Sequence, residues 1–505
     1  MGILGGIIKT AVSISQKIDL SNSTISAQQT KELIQLLESG KKTSFGKYYG
    51  FESILKASNP VQAFQEEIPL HHYPDIAPWW EQQQKFPDIT WPGKPDYFAL
   101  SSGTTGNSSK RIPITEALSQ SMRKVGVSLG TQLPNYDLPE AVYDSSVLML
   151  SSSSNLEQHV NGHLEGEISG INVHKFPEWY DLFYRPGKEI AGIDNWDERV
   201  EKIAEKAPEW DIGAIAGIPS WVLLMLQTII KTHKLEYIQD IWPNFSVYAS
   251  GGVAYETYRS DFEKISNKPL TIIDTYLASE GFFAYSARPN TLSMRLATEH
   301  GYFFEFIPFD DRGVNDFGEV LDNPVCFTMD QVEKEQEYVL VISSCAGAWR
   351  YIIGDTVKFT ALDPPEIKIT GRTKFFLNVV GSQLSEEKMD DAIVSLSKKL
   401  DISINEYMVG AIKNQSDEYI HQWVLVTNSE IDASAAKNKL DQLLKEKNKN
   451  YGVARNKALK EIRLVAISKA TYKKYLEENK KAGGQVKTPK VMGADKMNHL
   501  MHFIG

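Results

Sequence analysis

Cysteine is nearly missing from this chain: 505 residues contain only Cys326 and Cys345. So few thiols exclude a disulfide-built scaffold and suit reduced side chains in a cytoplasm. A basic excess is missing too. Lysine plus arginine number 54 against 64 aspartates plus glutamates, a formal net charge of −10, which argues against a general binder of nucleic acid or anionic membranes. No apolar run approaches the ~20 residues of a membrane-spanning helix; the densest, Trp221–Ile230, is short and carries Gln227. The opening M-G-I-L-G-G-I-I-K has no basic leader and is cut by Lys9, so a signal peptide is not expected. Tandem repeats are absent as well.

What is present describes a globular protein, 42% apolar and 23% charged, and too long for one ordinary core. Its organising stretch is Y-F-A-L-S-S-G-T-T-G-N-S-S-K-R-I-P-I-T, Tyr97 to Thr115. Tyr97–Leu100 reads as a short buried strand and Ile112–Thr115 as a second, with Pro113 marking an edge or strand start. Between them, Ser101 to Ser109 is almost wholly Gly, Ser, Thr and Asn, followed by Lys110. Gly103 and Gly106 let backbone N–H groups turn inward, the hydroxyls of Ser101, Ser102, Thr104 and Thr105 add donors, and Lys110 adds charge, which is what a phosphate needs. The spacing is not that of a Walker A loop, and a plain Ser/Gly-rich surface turn remains the alternative.

Along the rest of the large N-terminal part, Ser26–Leu37 predicts an amphipathic helix. The adjacent His71 and His72 would point to opposite faces of a strand, a poor metal pair. His159 and His163, four apart with carboxylates nearby, would share a helix face. Gly162 and Gly166 oppose a helix there and no third ligand is evident, so a loop lining a pocket is expected. Ile212–Ile230 predicts a buried strand, a Gly-Ile-Pro turn and a buried helix, with Trp221 facing a pocket or the core. Phe245–Ser250 and Thr271–Tyr276 are further strands. The latter ends in L-A-S-E-G, and a carboxylate such as Glu280 at a sheet's ligand edge is placed either to hold Mg²⁺ or to sit in solvent. Gly301–Thr370 alternates apolar residues and predicts an antiparallel sheet or small barrel. Within it Gly354-Asp355 reads either as a hairpin turn or as an acceptor for ribose hydroxyls.

Past Gly371-Arg372-Thr373-Lys374 the pattern changes. Ser385 is placed to cap a helix striped by Met389, Ile393, Leu396 and Leu400. Strands near Tyr407–Ile412, Tyr419–Val426 and Ile462–Ile467 and helices over Ala433–Lys447 and Thr471–Asn479 predict a separate α+β unit. The expectation is an α/β fold: a large N-terminal domain (1–372) with parallel sheets and a small barrel-like sheet, and a smaller mobile C-terminal α+β domain (373–505) hinged near Arg372. Near the end, Gly483-Gly484-Gln485-Val486-Lys487-Thr488-Pro489-Lys490 suits either a loop delivering a cation to a cleft or a basic tail.

S-S-G-T-T-G-N-S-S-K resembles the phosphate loop of the adenylate-forming, firefly-luciferase-like superfamily. T-S-F-G-K-Y-Y-G-F, Y-A-S-G-G-V, T-Y-L-A-S-E-G, W-R-Y-I-I-G-D-T-V, T-G-R-T-K-F-F-L-N and G-Q-V-K-T-P-K, in this order, are similar to the auxin-responsive (Gretchen Hagen type) acyl acid amido synthetases within it. Gly106 directly after the threonines, and Lys490 where plant relatives carry Arg, point to a bacterial branch.

The resemblance implies ATP and Mg²⁺ as requirements, and a small carboxylic acid and an amino acid as substrates. Ser101, Ser102, Gly103, Thr104 and Thr105 would hold the α-phosphate side of ATP with Lys110 in support. Gly252 and Tyr276 would flank adenine, Glu280 would ligate Mg²⁺, and Asp355 would take the ribose. Arg372 and Phe375 would border that site, and Lys487 would reach the phosphates during adenylation. The acyl pocket is expected around Glu157–Ile171 and Gly217–Leu224, with His163 and Trp221 as candidates. An acyl-CoA ligase, or a protein that binds an acyl acid or nucleotide without turnover, are the alternatives.

Overall fold

The structure, a computed structural model, describes residues 24–101, 110–176, 178–252, 255–315, 318–373, 377, 384–414, 416, 418–448, 451–452, 454–455, 459–478 and 490–505. The first predicted helix spans Ile25–Gly40, and the Thr24 side chain accepts from the Ala27 N–H at its start. Helix Glu116–Gln132 begins the same way, Thr115 accepting from the Leu118 N–H at 3.0 Å. These caps satisfy N–H groups that the first helical turn leaves without carbonyl partners.

A four-stranded sheet carries the start of the organising stretch. Strand β1 (Tyr97–Ser101) pairs antiparallel with β2 (Lys110–Ile114), residue for residue from Tyr97↔Ile114 to Ser101↔Lys110. After β3 (Ser146–Met149), the short β4 (Glu157–Gln158) and β5 (Leu164–Gly166) complete this sheet in the order β2-β1-β5-β4. Pro113 therefore lies on an edge strand, where a missing N–H costs the ladder least.

The main sheet is built from β3, β6 (Tyr184–Arg185), β7 (Ile212–Gly217), β8 (Val247–Gly251), β9 (Thr271–Ala278), β10 (Gly281–Tyr285), β11 (Met294–Leu296), β12 (Tyr302–Pro308), β13 (Glu337–Ser344), β14 (Tyr351–Leu362) and β15 (Pro365–Arg372). Its order is β12-β13-β14-β15-β11-β10-β9-β8-β7-β3-β6. From β9 to β6 neighbouring strands are parallel, and from β9 to β12 they are antiparallel. The alternating region after residue 301 thus adds antiparallel strands to the same open sheet instead of closing a barrel of its own. Tyr338 through Ile342 are all fully buried, which explains an unbroken apolar run: both faces of β13 are covered.

A second domain folds around the sheet β18-β17-β16-β19, with β16 (Glu406–Lys413), β17 (Tyr419–Val426), β18 (Glu461–Ile467) and β19 (Val491–Met492). Alternate residues feed two cores. Tyr407, Val409, Trp423 and Leu425 face helices Glu386–Leu400 and Ala433–Lys447, while Met408, Val424 and Val426 face Met497 and Leu500 of helix Ala494–Ile504. Period-two alternation with apolar residues at every position is the signature of a strand buried on both sides. Ser385 stands at the first helix's cap position, yet its side chain accepts nothing from that helix. Every apolar cluster among the described residues lies wholly before residue 373 or wholly after it. Among the described residues polar contacts join the two parts: Tyr258 Oη donates to Glu406, Asn405 Nδ2 donates to Asp261 at 2.6 Å, and Lys358 pairs with Glu387 at 3.0 Å.

Candidate functional site

Ser101 and Lys110 are ladder partners, so the segment between them starts and finishes at adjacent strand ends. Lys110 Nζ donates to the Tyr351 hydroxyl at 3.2 Å and stands over the rings of Tyr73 and Tyr351, 5.3 and 5.8 Å from their centroids. Glu280 lies in the turn from β9 to β10 and is buried. Burial pushes its carboxyl up, and the Lys110 charge opposes the shift. The Tyr351 phenol, held above its usual range by burial and by the neighbouring Glu280, joins the cation and the carboxylate. A buried carboxylate held at such a cost, with the Lys110 and Arg372 charges opposing the shift, fits a Mg²⁺ ion, which takes one or two protein carboxylates and fills its shell with phosphate oxygens and water.

Asp355 completes the arrangement. Between Ile352 and Thr356 the partner strand advances only from Val341 to Val339, and Gly354 sits at φ +90°. Gly354-Asp355 is therefore a bulge inside a long strand and not a hairpin turn, and bulges of this kind re-aim side chains toward sites. Asp355 Oδ2 accepts from Tyr276 Oη at 2.6 Å, and Oδ1 pairs with Arg372 Nε at 2.7 Å. Asp355 and Arg372 are also cross-strand partners in the β14–β15 ladder. The Asp355 charge beside it is the main cause holding the Arg372 guanidinium above its ordinary range. Burial and the same carboxylate push the Tyr276 phenol up. Gly252, just past β8, has φ +82°, a left-handed backbone that favours glycine.

The structure thus gathers Lys110, Tyr276, Glu280, Asp355 and Arg372 in one connected set, with Ser101 beside Lys110 at the ladder's end. Ser102, Gly103, Thr104, Thr105, Phe375 and Lys487 lie outside the described residues. The two acyl-pocket candidates make other contacts. His163 Nε2 bonds Glu165 Oε1 at 2.8 Å and its ring packs on Phe98. Trp221, in helix Pro219–His233, meets Trp196 edge to face at 4.5 Å. Sequence reasoning missed Tyr73 and Tyr351. An aromatic residue flanking a buried strand reads as core, and only the fold shows Tyr351 turned toward Lys110. It also missed Arg111, whose Nε pairs with Glu165 at 2.8 Å.

Models of the GH3 family N-terminal, central and C-terminal domains match residues 14–195, 295–372 and 387–496. Among curated proteins, the chain is 26% identical over 258 residues to an indole-3-acetic acid-amido synthetase, GH3.8, of Oryza sativa subsp. indica, covering 46% of this chain and 41% of that protein. It is 28% identical over 279 residues to a jasmonoyl–L-amino acid synthetase, GH3.5, of Oryza sativa subsp. japonica, covering 50% and 46%. The matches thus span less than half the length of these relatives. Among solved structures, the GH3.15 acyl acid amido synthetase superposes with a TM-score of 0.75 at 14% identity over 94% of this chain and 93% of that one. A 2-hydroxyisobutyryl-CoA ligase in its postadenylation state gives 0.57 at 11% over 94% and 90%. These superpositions show that the chain shares the overall fold of those two proteins, and the three domain matches, in sequence and spread over most of the chain, place this protein in the GH3 family.

Proposed function

We propose that this protein is an ATP-dependent acyl acid amido synthetase, which adenylates a small carboxylic acid and passes the acyl group to an amino acid. The observation that carries this reading is the connected set Lys110–Tyr351–Glu280 and Tyr276–Asp355–Arg372 at the end of the β1–β2 ladder. Among its described residues such a site has no nucleophile–base pair, and the reaction needs none. A carboxylate is already nucleophilic at neutral pH. Its oxygen attacks the α-phosphorus of ATP, the bond from that phosphorus to the bridging oxygen breaks, and pyrophosphate leaves. The work is to bring two anions together and neutralise their charge.

In this reading the hydroxyls and N–H groups of Ser101 to Thr105 and the Lys110 ammonium hold the phosphates, while Asp355 accepts the ribose hydroxyls. Glu280 would hold Mg²⁺, which neutralises phosphate charge when bound. Tyr351 keeps Lys110 directed at the phosphates. The C-terminal domain, from residue 373, would turn about Arg372 to bring Lys487 in for adenylation and then to form the amine site. There the amine nitrogen attacks the acyl carbon, AMP departs, and the nitrogen loses its proton. Unpaired Cys326 and Cys345 support a reduced, cytoplasmic setting. Gly106 and Lys490 support a bacterial branch whose acid differs from the plant hormones.

The test is an ATP–pyrophosphate exchange screen across aromatic and aliphatic acids, followed by product analysis with amino acids or coenzyme A. Exchange with one acid class and an amide product are expected. A thioester product would reassign the acceptor, and absence of exchange with every acid would leave a binding protein.

A further inference from the structure

We propose that the β4–β5 hairpin carries a second cation site, for a transition-metal dication of borderline softness such as Zn²⁺, with His159, His163 and Glu165 as ligands. One ligand atom from each residue lies within 4.8 Å of the others. The hairpin creates this proximity. The His159 N–H donates to the His163 carbonyl at 2.9 Å, and Gly162 turns the chain at φ +88°. The two histidines therefore meet across a turn, with no helix required, and the strand pairing that follows brings in Glu165 as the third donor.

Two imidazole nitrogens and one carboxylate are the donor set of Zn²⁺ and its neighbours, whereas Mg²⁺ prefers oxygen throughout. His163 is buried, and its Nδ1 has no hydrogen-bond partner. His159 is half-buried and at present stacks on His163 with centroids 4.5 Å apart. Its Nδ1 accepts from the Asn161 N–H at 3.2 Å. Loading the site requires this ring to turn out of the stack, since the in-plane lone pairs of parallel rings do not converge.

A cavity of about 440 Å³ lined by Tyr73, Glu81, Gln84, Arg111, His159 and Asn161 opens beside the cluster and leaves room for a water ligand. Arg111 is the competing cation, bonded to Glu165 Oε1 at 2.8 Å. Glu81 on the cavity wall supplies the second negative charge that a dication beside Arg111 needs. Because β1 pairs with both β2 and β5, an ion that takes Glu165 from Arg111 acts on the strand pair leading into the phosphate loop.

The experiment is calorimetric titration of the chelator-treated full-length chain with ZnCl₂ in the presence of excess Mg²⁺, with Co²⁺ visible absorption as a report on nitrogen ligation. One ion per chain is expected. His159→Ala and Glu165→Gln should each weaken binding at least about tenfold, while His499→Ala, on helix Ala494–Ile504, leaves it intact. His159→Gln repeats the test should the alanine variant not fold. Absence of binding, displacement by Mg²⁺, or affinity unchanged in both ligand variants would overturn the assignment.

Discussion

Exchanging Asp355 for asparagine keeps the size of the side chain and removes its charge. In the structure both carboxylate oxygens are engaged, one by Tyr276 at 2.6 Å and the other by Arg372 at 2.7 Å. If Asp355 also receives two ribose hydroxyls, each bond to a charged acceptor contributes about 2 kcal/mol and each to a neutral amide about 1 kcal/mol. The loss for two bonds is then about 2 kcal/mol, or roughly thirtyfold in nucleotide affinity. Calorimetric titration with a non-hydrolysable ATP analogue reads this directly, with thermal melting as a check that the β14 bulge persists. The Asp355→Asn protein should fold, bind the analogue some thirtyfold more weakly, and still bind inorganic pyrophosphate normally. An affinity within threefold of the parent would refute the ribose role and, with it, the orientation of ATP across this sheet.

Lys487→Ala should slow pyrophosphate exchange far more than it weakens ATP binding; equal loss of both would contradict a role confined to adenylation. Arg350→Ala removes one partner of a buried pair in which Arg350 bonds Glu305 at 3.0 Å and also reaches the carbonyls of Gln65 and Ile68. Denaturant unfolding should show a loss of about 3–5 kcal/mol, and a loss under 1 kcal/mol would remove it from the list of supports. His421, wholly buried with neither ring nitrogen bonded, has its pKa lowered by burial to about 3. The unfolded chain then binds the extra proton between pH 6.5 and 3, so stability is full above that window and declines as pH falls through it, by about 2 kcal/mol at pH 5. His421→Leu should flatten this decline in melting curves from pH 7 to 5, and an unchanged slope would assign the acid sensitivity elsewhere.

Much of this fold is written locally. The strands at Ile212, Val247 and Thr271 and the helix over Ala433–Lys447 appear where hydrophobic period and caps place them, because each is decided within a dozen residues. The two strands flanking the Ser/Gly loop are legible for the same reason, whereas their antiparallel pairing comes from the fold. What was not legible depends on register between distant strands. Gly354-Asp355 looks like a turn until β13 is seen skipping beneath it. Arg372 and Asp355 become partners only through the β14–β15 ladder. Tyr351 is indistinguishable from core until Lys110 arrives from the other sheet. Helical spacing does not bring Glu165 to the two histidines; the hairpin does, because it obeys a different geometry.

The separation of apolar interiors has a mechanical consequence. Parting the two lobes leaves each greasy centre sealed, so the work of opening comes from breaking a few bonds such as Asn405 to Asp261 and Tyr258 to Glu406. Solvent replaces those contacts almost one for one. If the C-terminal domain turns as proposed, a joint of this kind would resist little in either direction, and the reactant in the cleft would set the preferred pose.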